Sequence, residues 1–466
     1  MRILIGNHID DSIRLRNDMR AWTQRVLWFA RNGDLLILPD HPDEQFLHYA
    51  TALTGVDPDT LRFHVPPQGR FNHRLFDARS LTDPKFLEEI TTSSNKVSEV
   101  FALWPSAHVA QFTMALGLSD RLPGANFFSQ GGGELVNNKT CFRALATGCG
   151  VPIADGAVCH NAIEAVDAMA RLLNGTGAVV VKQAHNGAGV GNQIVIRREG
   201  LDAGHVGARH IYHLGLGKEE IEAYWRQRWD WASAGGRFSV VIEEFQPEAT
   251  SLYSEYYVDD TGVTPTEAGI LFYVHRRLSH QIVPLRNVHV DEGTREQLVA
   301  LGAQLAEIYR KVGYRGYLSA DAVLDRNRQV LFTEVNAQVS GSLHIYDVIA
   351  HQIVNTSVQP ERSVVEYHVP PTWRVADFDD FLNVARQLGC LYDPGNRTGI
   401  IVSMPVIPLE INRAQFVFCI AYDTEIKRQK TFQQLDDHFA RIPASTIGPE
   451  AVGLGNTLTQ EQGENV

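Results

Sequence analysis

The sequence contains few cysteines, and none of them are paired at a metal-binding spacing. Its five cysteines are scattered over 466 residues, and no C-x-x-C motif occurs. This distribution excludes a zinc ribbon, and an odd number of scattered thiols does not predict a disulfide framework. We therefore expect buried, inert thiols in a reducing compartment.

Long apolar runs and an excess of positive charge are also missing. The opening MRILIGNHIDD has an apolar run only from Ile3 to Ile5, and no run approaches the roughly 20 residues of a membrane helix. Lysine and arginine number 42 against 54 aspartates and glutamates, a net charge of -12 that repels a phosphate backbone. We expect a cytoplasmic protein without membrane or nucleic-acid partners.

The pattern of apolar residues predicts a mixed α/β and α+β chain. Apolar runs alternate with helical spacing over residues 1–135, which is typical of a small parallel α/β domain. A second domain with a glycine-rich segment follows over 136–245, and short strands joined by turns predict antiparallel pairing over 246–360. Residues 361–443 read as a small α+β unit, and 444–466 as a disordered tail.

A glycine-rich loop lies within VVVKQAHNGAGVGNQIVI, residues 179–196, where Gly187, Gly189 and Gly191 stand between two β-branched runs. A P-loop or a Rossmann turn must open a helix, whereas this loop leads into a second strand. Its backbone N–H groups can form a flap over an anion, or the loop is simply a mobile hairpin tip. Lys182, at the end of the first strand, either meets an anion such as phosphate or extends to water.

A cluster of oxygen ligands lies in SADAVLDRNRQVLFTEVN, residues 319–336. If Asp325 and Val330 close a four-residue turn, Asp321 faces Glu334 directly, and Asn336 projects from the same face. Opposed carboxylates repel each other unless a cation lies between them, and oxygen ligands of this kind fit Mg²⁺.

The alternative for this hairpin is a solvated face. The same register places Val323, Val330 and Phe332 on the face of the two carboxylates, and an exposed face would not normally carry them. We therefore favour the metal site.

A third signal lies in FSVVIEEFQPE, residues 238–248, where an apolar strand runs into Glu243 and Glu244. Such a hinge can offer backbone hydrogen bonds to a purine and a carboxylate to a ribose. Taken alone the signal is weak, since charged strand ends are common.

Taken in this order, the pieces resemble the ATP-grasp superfamily: a lysine on a helix, a strand lysine with a glycine flap, an acidic hinge, then Asp and E-x-N on antiparallel strands. Residues 1–135 are similar to the pre-ATP-grasp domain, so that 136–245 and 246–360 would be the two ATP-grasp subdomains. More narrowly, the chain looks like the pheganomycin-type peptide ligases, which join the carboxylate of a non-standard amino acid to a peptide amine.

The resemblance implies ATP and Mg²⁺ as cofactors and assigns residues to each. The implied metal ligands are Asp321, Glu334 and Asn336. The implied nucleotide-binding residues are Lys139, Lys182, Gly187, Gly189, Gly191, Glu243, Glu244, Phe245, Gln246 and Glu248.

The chain departs from the family pattern at one position. The family commonly shows E-x-N-x-R, whereas Gln338 stands here in place of the arginine. Candidates to supply the missing charge near the reacting groups are Arg276, Arg277 and Arg315, each of which could equally form a structural ion pair.

The implied reaction is ATP-dependent ligation of a small-molecule carboxylate to an amino acid or peptide amine through an acylphosphate, in the biosynthesis of a natural product such as an antibiotic. Two alternatives stay open: other ATP-grasp chemistry, such as a carboxylate kinase or a thiol or bicarbonate ligase, and a non-catalytic nucleotide-binding regulator, to which Gln338 lends support. The sequence leaves a homodimer open, and it does not identify the role of 361–443.

Overall fold

The computed structural model describes residues 1–7, 20–69, 76–93, 96–187, 189–197, 200–410 and 413–440. The predicted tail over 444–466 lies outside this range. The strands are β1 (Arg2–Ile5), β2 (Leu35–Ile37), β3 (Arg62–His64), β4 (Glu99–Ala102), β5 (Gly156–Cys159), β6 (Ala178–Lys182), β7 (Asn192–Ile196), β8 (His210–His213), β9 (Val240–Glu244), β10 (Thr250–Val258), β11 (Val263–Val274), β12 (Arg277–Val283), β13 (Gly316–Leu324), β14 (Val330–Asn336), β15 (Ser363–His368), β16 (Gly399–Val402), β17 (Ile407–Glu410), β18 (Arg413–Gln415) and β19 (Val417–Tyr422).

Helices connect these strands. The α-helices are α1 (Arg20–Thr23), α2 (Glu44–Thr54), α3 (Ala78–Leu81), α4 (Pro84–Ser93), α5 (Ala107–Ala115), α6 (Ala125–Ser129), α7 (Gly132–Val136), α8 (Lys139–Gly148), α9 (Ala162–Thr176), α10 (Lys218–Ser233), α11 (Glu292–Lys311), α12 (Phe378–Gln387) and α13 (Glu425–Phe439). Short 3₁₀ helices span Gln24–Phe29, Pro58–Thr60 and Ser119–Arg121, and a π-helix spans His344–Val354. None of the helices described is long and apolar enough to cross a membrane.

The N-terminal part is a small parallel α/β unit, as the sequence predicts. Strands β1 to β4 form a parallel sheet in the order β3-β2-β1-β4. All four residues of β1 are buried, which explains its unbroken apolar run, because helices and helical turns cover both faces of such a sheet.

The glycine-rich segment belongs to a five-stranded sheet in the order β5-β9-β6-β7-β8. Strands β6 and β7 are antiparallel neighbours with Lys182 opposite Asn192, so the glycine loop connects strand to strand. Two apolar clusters hold this sheet: one against α9 and α10, which contains Trp225, and a smaller one around Phe245.

The remaining large sheet has eight strands in the order β14-β13-β10-β11-β12-β15-β19-β16. Its strands between 250 and 336 pair antiparallel, as expected from their turn-rich connections. Three strands from the 361–443 segment (β15, β19 and β16) extend the same sheet. The core of this sheet is continuous with that of the N-terminal unit.

The predicted opposition of Asp321 and Glu334 is present, although the turn differs from the expectation. Val330 pairs with Leu324 rather than with Asp325, which shifts the register at the turn by one residue. A β-bulge between Asp321 and Ala322 then compensates, because β14 carries one extra residue there. The two carboxylates therefore face each other after all.

The bulge also corrects the prediction for the apolar residues of this hairpin. Val323 shares the face of Asp321 and lines the cavity described below. Phe332 pairs with Ala322 and Val330 with Leu324, so both point to the opposite face and are buried in the core. The expected grouping of all three apolar side chains with the carboxylates is wrong, because a one-residue register change moves a side chain to the other face.

Candidate active site

The main cavity lies between the five-stranded sheet, the eight-stranded sheet and the N-terminal unit. Its volume is about 1560 Å³, more than the ~1000 Å³ that bounds a typical single-ligand pocket. The cavity therefore has room for a nucleotide and a second substrate. Of the predicted site residues, it is lined by Lys139, Lys182, Gly187, Gly189, Glu243, Glu244, Phe245, Gln246, Arg276, Asp321, Glu334 and Asn336.

Lys139 is fixed by the start of α8. The Asn138 side chain caps this helix by accepting hydrogen bonds from the backbone N–H groups of Thr140 and Cys141. The Lys139 ammonium, which is nearly buried, lies 3.1 Å from Glu334 Oε2 and donates to the carbonyl of Asn186 at 2.8 Å. It thus joins the glycine loop to the carboxylate pair.

Lys182 is placed by the end of β6. Its ammonium forms an ion pair with Glu243 on the neighbouring strand β9 and donates to the carbonyl of Thr333 at 3.1 Å. Arg143 Nη1 lies 3.4 Å from the other oxygen of Glu243. Lys182 therefore does not extend to water; it is buried at 5% exposure within a charged cluster.

The two predicted metal carboxylates occupy different electrostatic environments. Burial and the neighbouring Glu334 carboxylate raise the pKa of Asp321 well above its usual range. Burial acts in the same direction on Glu334, but the ammonium groups of Lys139 and Lys182 outweigh it and lower the pKa of Glu334. The charged state of Asp321 thus lacks a cationic partner, which a metal ion would supply.

Two hydrogen bonds hold the side chain of the predicted metal ligand Asp321 in place. Asp321 Oδ2 accepts from Asn336 Nδ2 and Asp321 Oδ1 from Ser319 Oγ, each at 3.2 Å. Among the residues that the structure describes, no group of three or more His, Cys, Asp or Glu side chains is placed to hold a metal. Two carboxylates and one amide suit Mg²⁺, which retains waters and substrate phosphates in its remaining positions.

The glycine loop is shaped by close backbone approach. Gly189 has a φ of +71°, and a Cβ there would come within 1.4 Å of the Gly207 carbonyl oxygen. Gly191 is also crowded, because a Cβ would approach Asn186 Cβ to 2.9 Å, but it lies below the loop and does not line the cavity. Glycine is thus required at position 189 by conformation and space together.

The acidic hinge, residues 243–246, lines the cavity. One of its backbone N–H groups already donates a hydrogen bond within the sheet. The Phe245 N–H donates to the Ala178 carbonyl at 3.2 Å, and the Phe245 side chain is buried. Burial raises the pKa of Glu244, and the nearby carboxylate of Asp155 acts in the same direction. Glu248 is not among the lining residues; it is exposed and pairs with Arg326 at 2.7 Å.

Two of the three candidate arginines line the cavity, and the third does not. Arg276 lies at the tip of the β11–β12 hairpin, where positive φ at His275 and Arg276 defines a two-residue turn, and both line the cavity. Arg277 beside it also lines the cavity. Arg315 does not reach the cavity: its Nε donates to Asp260 at 2.7 Å, a structural ion pair elsewhere on the molecule.

The sequence analysis did not single out the part of the cavity beyond the carboxylates. Arg25 lines it from the N-terminal unit, and Tyr253 and Gln281 lie along the sheet beside Asp321. The Tyr253 hydroxyl donates to Gln281 Oε1 at 3.1 Å, and Gln281 Nε2 donates to Glu366 at 2.7 Å. Arg25 directly precedes the apolar stretch VLWFA and was a weak signal, because distant segments complete the site only on folding.

Comparisons with known proteins give one matching domain and a set of similar folds. Residues 23–118 match the model of the pre ATP-grasp domain. No curated protein matches the sequence.

Solved structures of similar fold cover almost the whole chain. Biotin carboxylase from Campylobacter jejuni is 12% identical with a TM-score of 0.55, covering 94% of this chain and 91% of its own. L-amino acid ligase from Bacillus licheniformis is 13% identical with a TM-score of 0.54, covering 93% and 96%. N5-carboxyaminoimidazole ribonucleotide synthetase from Thermus thermophilus is 12% identical with a TM-score of 0.54, covering 95% and 99%.

The narrower resemblance to pheganomycin-type ligases stays a prediction. The chain has the fold of these three enzymes over nearly its full length, and its N-terminal part matches a pre ATP-grasp domain.

Proposed function

We propose that the protein is an ATP-dependent ligase that joins a carboxylate to an amine through an acylphosphate. The observation that carries this proposal is the convergence of Lys139, Lys182, the Asp321–Glu334 pair and the glycine loop on one cavity with room for two ligands. Solved structures of similar fold include enzymes complexed with ADP and with MgADP. The likeness to an L-amino acid ligase supports the amide-forming version.

In the proposed reaction, a carboxylate oxygen of the substrate attacks the γ-phosphorus of ATP and displaces ADP. The amine then attacks the carbonyl carbon, phosphate leaves, and the amine loses a proton to give the amide. Phosphate is a far better leaving group than hydroxide, which is why the carboxylate must first be phosphorylated.

The residues of this chain act by position and charge. Lys139 and Lys182 are placed to neutralise phosphate oxygens, and Asp321, Glu334 and Asn336 would hold Mg²⁺, which supplies further positive charge to the phosphates. Gly187 and Gly189 line the cavity, and we propose that their loop closes over the nucleotide and keeps water from the acylphosphate. The natural substrates we propose are a non-standard amino acid as the acid and a peptide as the amine.

Hydroxylamine trapping tests the proposal. The full chain is incubated with ATP, Mg²⁺, hydroxylamine and a panel of amino acids and peptides, and products are analysed by mass. A hydroxamate from one acid is the expected result, because hydroxylamine attacks any acylphosphate whatever the natural amine is. Release of ADP without a hydroxamate would contradict carboxylate activation and favour another phosphoryl acceptor, and no ADP with any member would favour a nucleotide-binding regulator.

A further inference from the structure

Arg25 is a buried cation without a carboxylate partner among the residues that the structure describes. The residue is 4% exposed and lines the cavity from the N-terminal unit. Nη1 donates to the Ser340 carbonyl at 2.8 Å and Nη2 to the Val339 carbonyl at 3.1 Å, whereas Nε has no hydrogen-bond partner. Neutral carbonyls orient the guanidinium but do not neutralise its charge, and a buried unpaired charge is costly.

The nearest buried carboxylates are poorly suited to neutralise it. The charges of Glu255 and Glu366 act on Arg25, but neither residue lines the cavity, and burial raises the pKa of each to about 7. Each is engaged by other donors: Glu366 accepts from Gln281 and Ser403, and Glu255 from Ser342. A ligand anion in the cavity would be the better partner for Arg25.

Gln338 supplies an unpartnered acceptor next to this cation. Its Oε1 is buried without a hydrogen-bond partner, and its side chain lines the cavity. Gln338 directly precedes the two residues whose carbonyls hold Arg25 and stands two residues after Asn336. The segment 338–340 therefore holds the Arg25 guanidinium by two carbonyls and contributes an unpartnered acceptor, close in sequence to the predicted metal ligand Asn336.

We propose that Arg25 and Gln338 form the binding site for the acid substrate, with Arg25 Nε binding the carboxylate to be activated and Gln338 Oε1 accepting a hydrogen bond from a nearby N–H. The substrate is then an amino acid that presents both groups, as a carboxylic acid lacking the N–H would leave Gln338 unpaired. In this arrangement the N-terminal unit supplies the cation that the E-x-N-x-Q segment itself lacks. The inference rests on the proposed ligase function and names the residues that select its acid substrate.

The test measures binding to the full chain by calorimetry, with and without MgADP. The probes are a panel of standard and non-standard L-amino acids and, for each that binds, its carboxamide and its analogue lacking the α-amino group. We expect at least one amino acid to bind the wild-type protein and both of its analogues to bind more weakly. Arg25→Met should weaken amino-acid binding on the order of 10- to 100-fold, since it removes a charge-assisted hydrogen bond, and leave MgADP affinity within about twofold.

Two further variants separate binding from folding. Arg25→Lys retains the charge and should bind better than Arg25→Met, whereas Gln338→Leu should lose about 2- to 10-fold in affinity for the amino acid but none for the analogue lacking the amine. Arg121→Met, at an exposed arginine that pairs with Asp120, is the matched control and should bind like wild type.

The outcomes separate this inference from the proposed function. If MgADP binds but no amino acid does, or if Arg25→Met binds amino acids like wild type while folded, the inference is overturned and the nucleotide site stands. If amino acids bind through Arg25 but MgADP does not bind, the inference stands and the ligase function fails.

Discussion

The Lys182–Glu243 pair permits a prediction that separates folding from nucleotide binding. The two groups are 5% and 6% exposed, so Lys182→Met leaves the Glu243 carboxylate buried with only Arg143 nearby at 3.4 Å. Breaking a buried ion pair by removing one partner costs about 3–5 kcal/mol. We expect the lower end, about 3 kcal/mol of unfolding free energy, because Arg143 remains.

A double-mutant cycle gives the decisive comparison. Glu243→Gln in the Lys182→Met background removes the uncompensated charge and should restore stability to within about 1 kcal/mol of wild type. The double variant should still bind MgADP on the order of 10- to 100-fold more weakly than wild type, because the phosphate has lost its lysine.

The four proteins are wild type, Lys182→Met, Glu243→Gln and the double variant. Urea unfolding followed by circular dichroism gives their free energies of unfolding, and calorimetry gives their affinities for MgADP. Steady-state kinetics should show a raised KM for ATP and a lowered kcat in both variants that lack the lysine. The reasoning is refuted if the double variant stays as unstable as Lys182→Met, or if wild-type nucleotide affinity returns while the lysine is absent.

Three other variants test separate parts of the site. Glu334→Ala should remain folded and lose Mg²⁺-dependent activity, as measured by ADP release over a metal titration; full activity would remove this residue from the metal site. Gly189→Ala should accelerate proteolysis of the loop and weaken MgADP binding, because its Cβ cannot occupy the space taken by the Gly207 carbonyl; unchanged proteolysis and binding would show that the loop adopts another conformation. Burial raises the pKa of Glu366 to about 7, so the folded protein keeps this proton up to a higher pH than the unfolded chain does. The free energy of unfolding should therefore fall, by up to about 3 kcal/mol, as the pH rises from about 4.5 to 7. Glu366→Gln should reduce the difference between urea unfolding at pH 5 and at pH 8, and an equal difference in both proteins would contradict the assignment.

Local patterns predicted much of the fold and the carboxylate pair. The glycine loop between two strands, the Lys139 helix and the antiparallel strands follow from the spacing of apolar residues and from turn chemistry, which act over short stretches of sequence. The opposition of Asp321 and Glu334 was predicted with the wrong turn and is present because a bulge offsets the shift.

Contacts between distant segments were not predictable in the same way. Arg25 reaches the 339–340 carbonyls across more than 300 residues, and nothing local to either segment records the other. Arg315 was a candidate for the positive charge that Gln338 does not supply, yet the residue pairs with Asp260 away from the cavity. Arg315 precedes Asp321 by six residues, and six residues of extended chain span up to ~20 Å, which is enough to leave the site.

The eight-stranded sheet restricts how the C-terminal segment can be exchanged. Because β15 pairs with β12 and β19 pairs with β15, removing the chain after about residue 360 would leave β12 as an unpaired edge and take buried apolar side chains such as Val364 and Val365 out of the core. A chimaera that grafts the corresponding segment of another enzyme must reproduce this strand pairing, and not merely its surface loops. Substrate preference is therefore expected to change more readily by point substitution within the cavity than by exchange of the C-terminal segment.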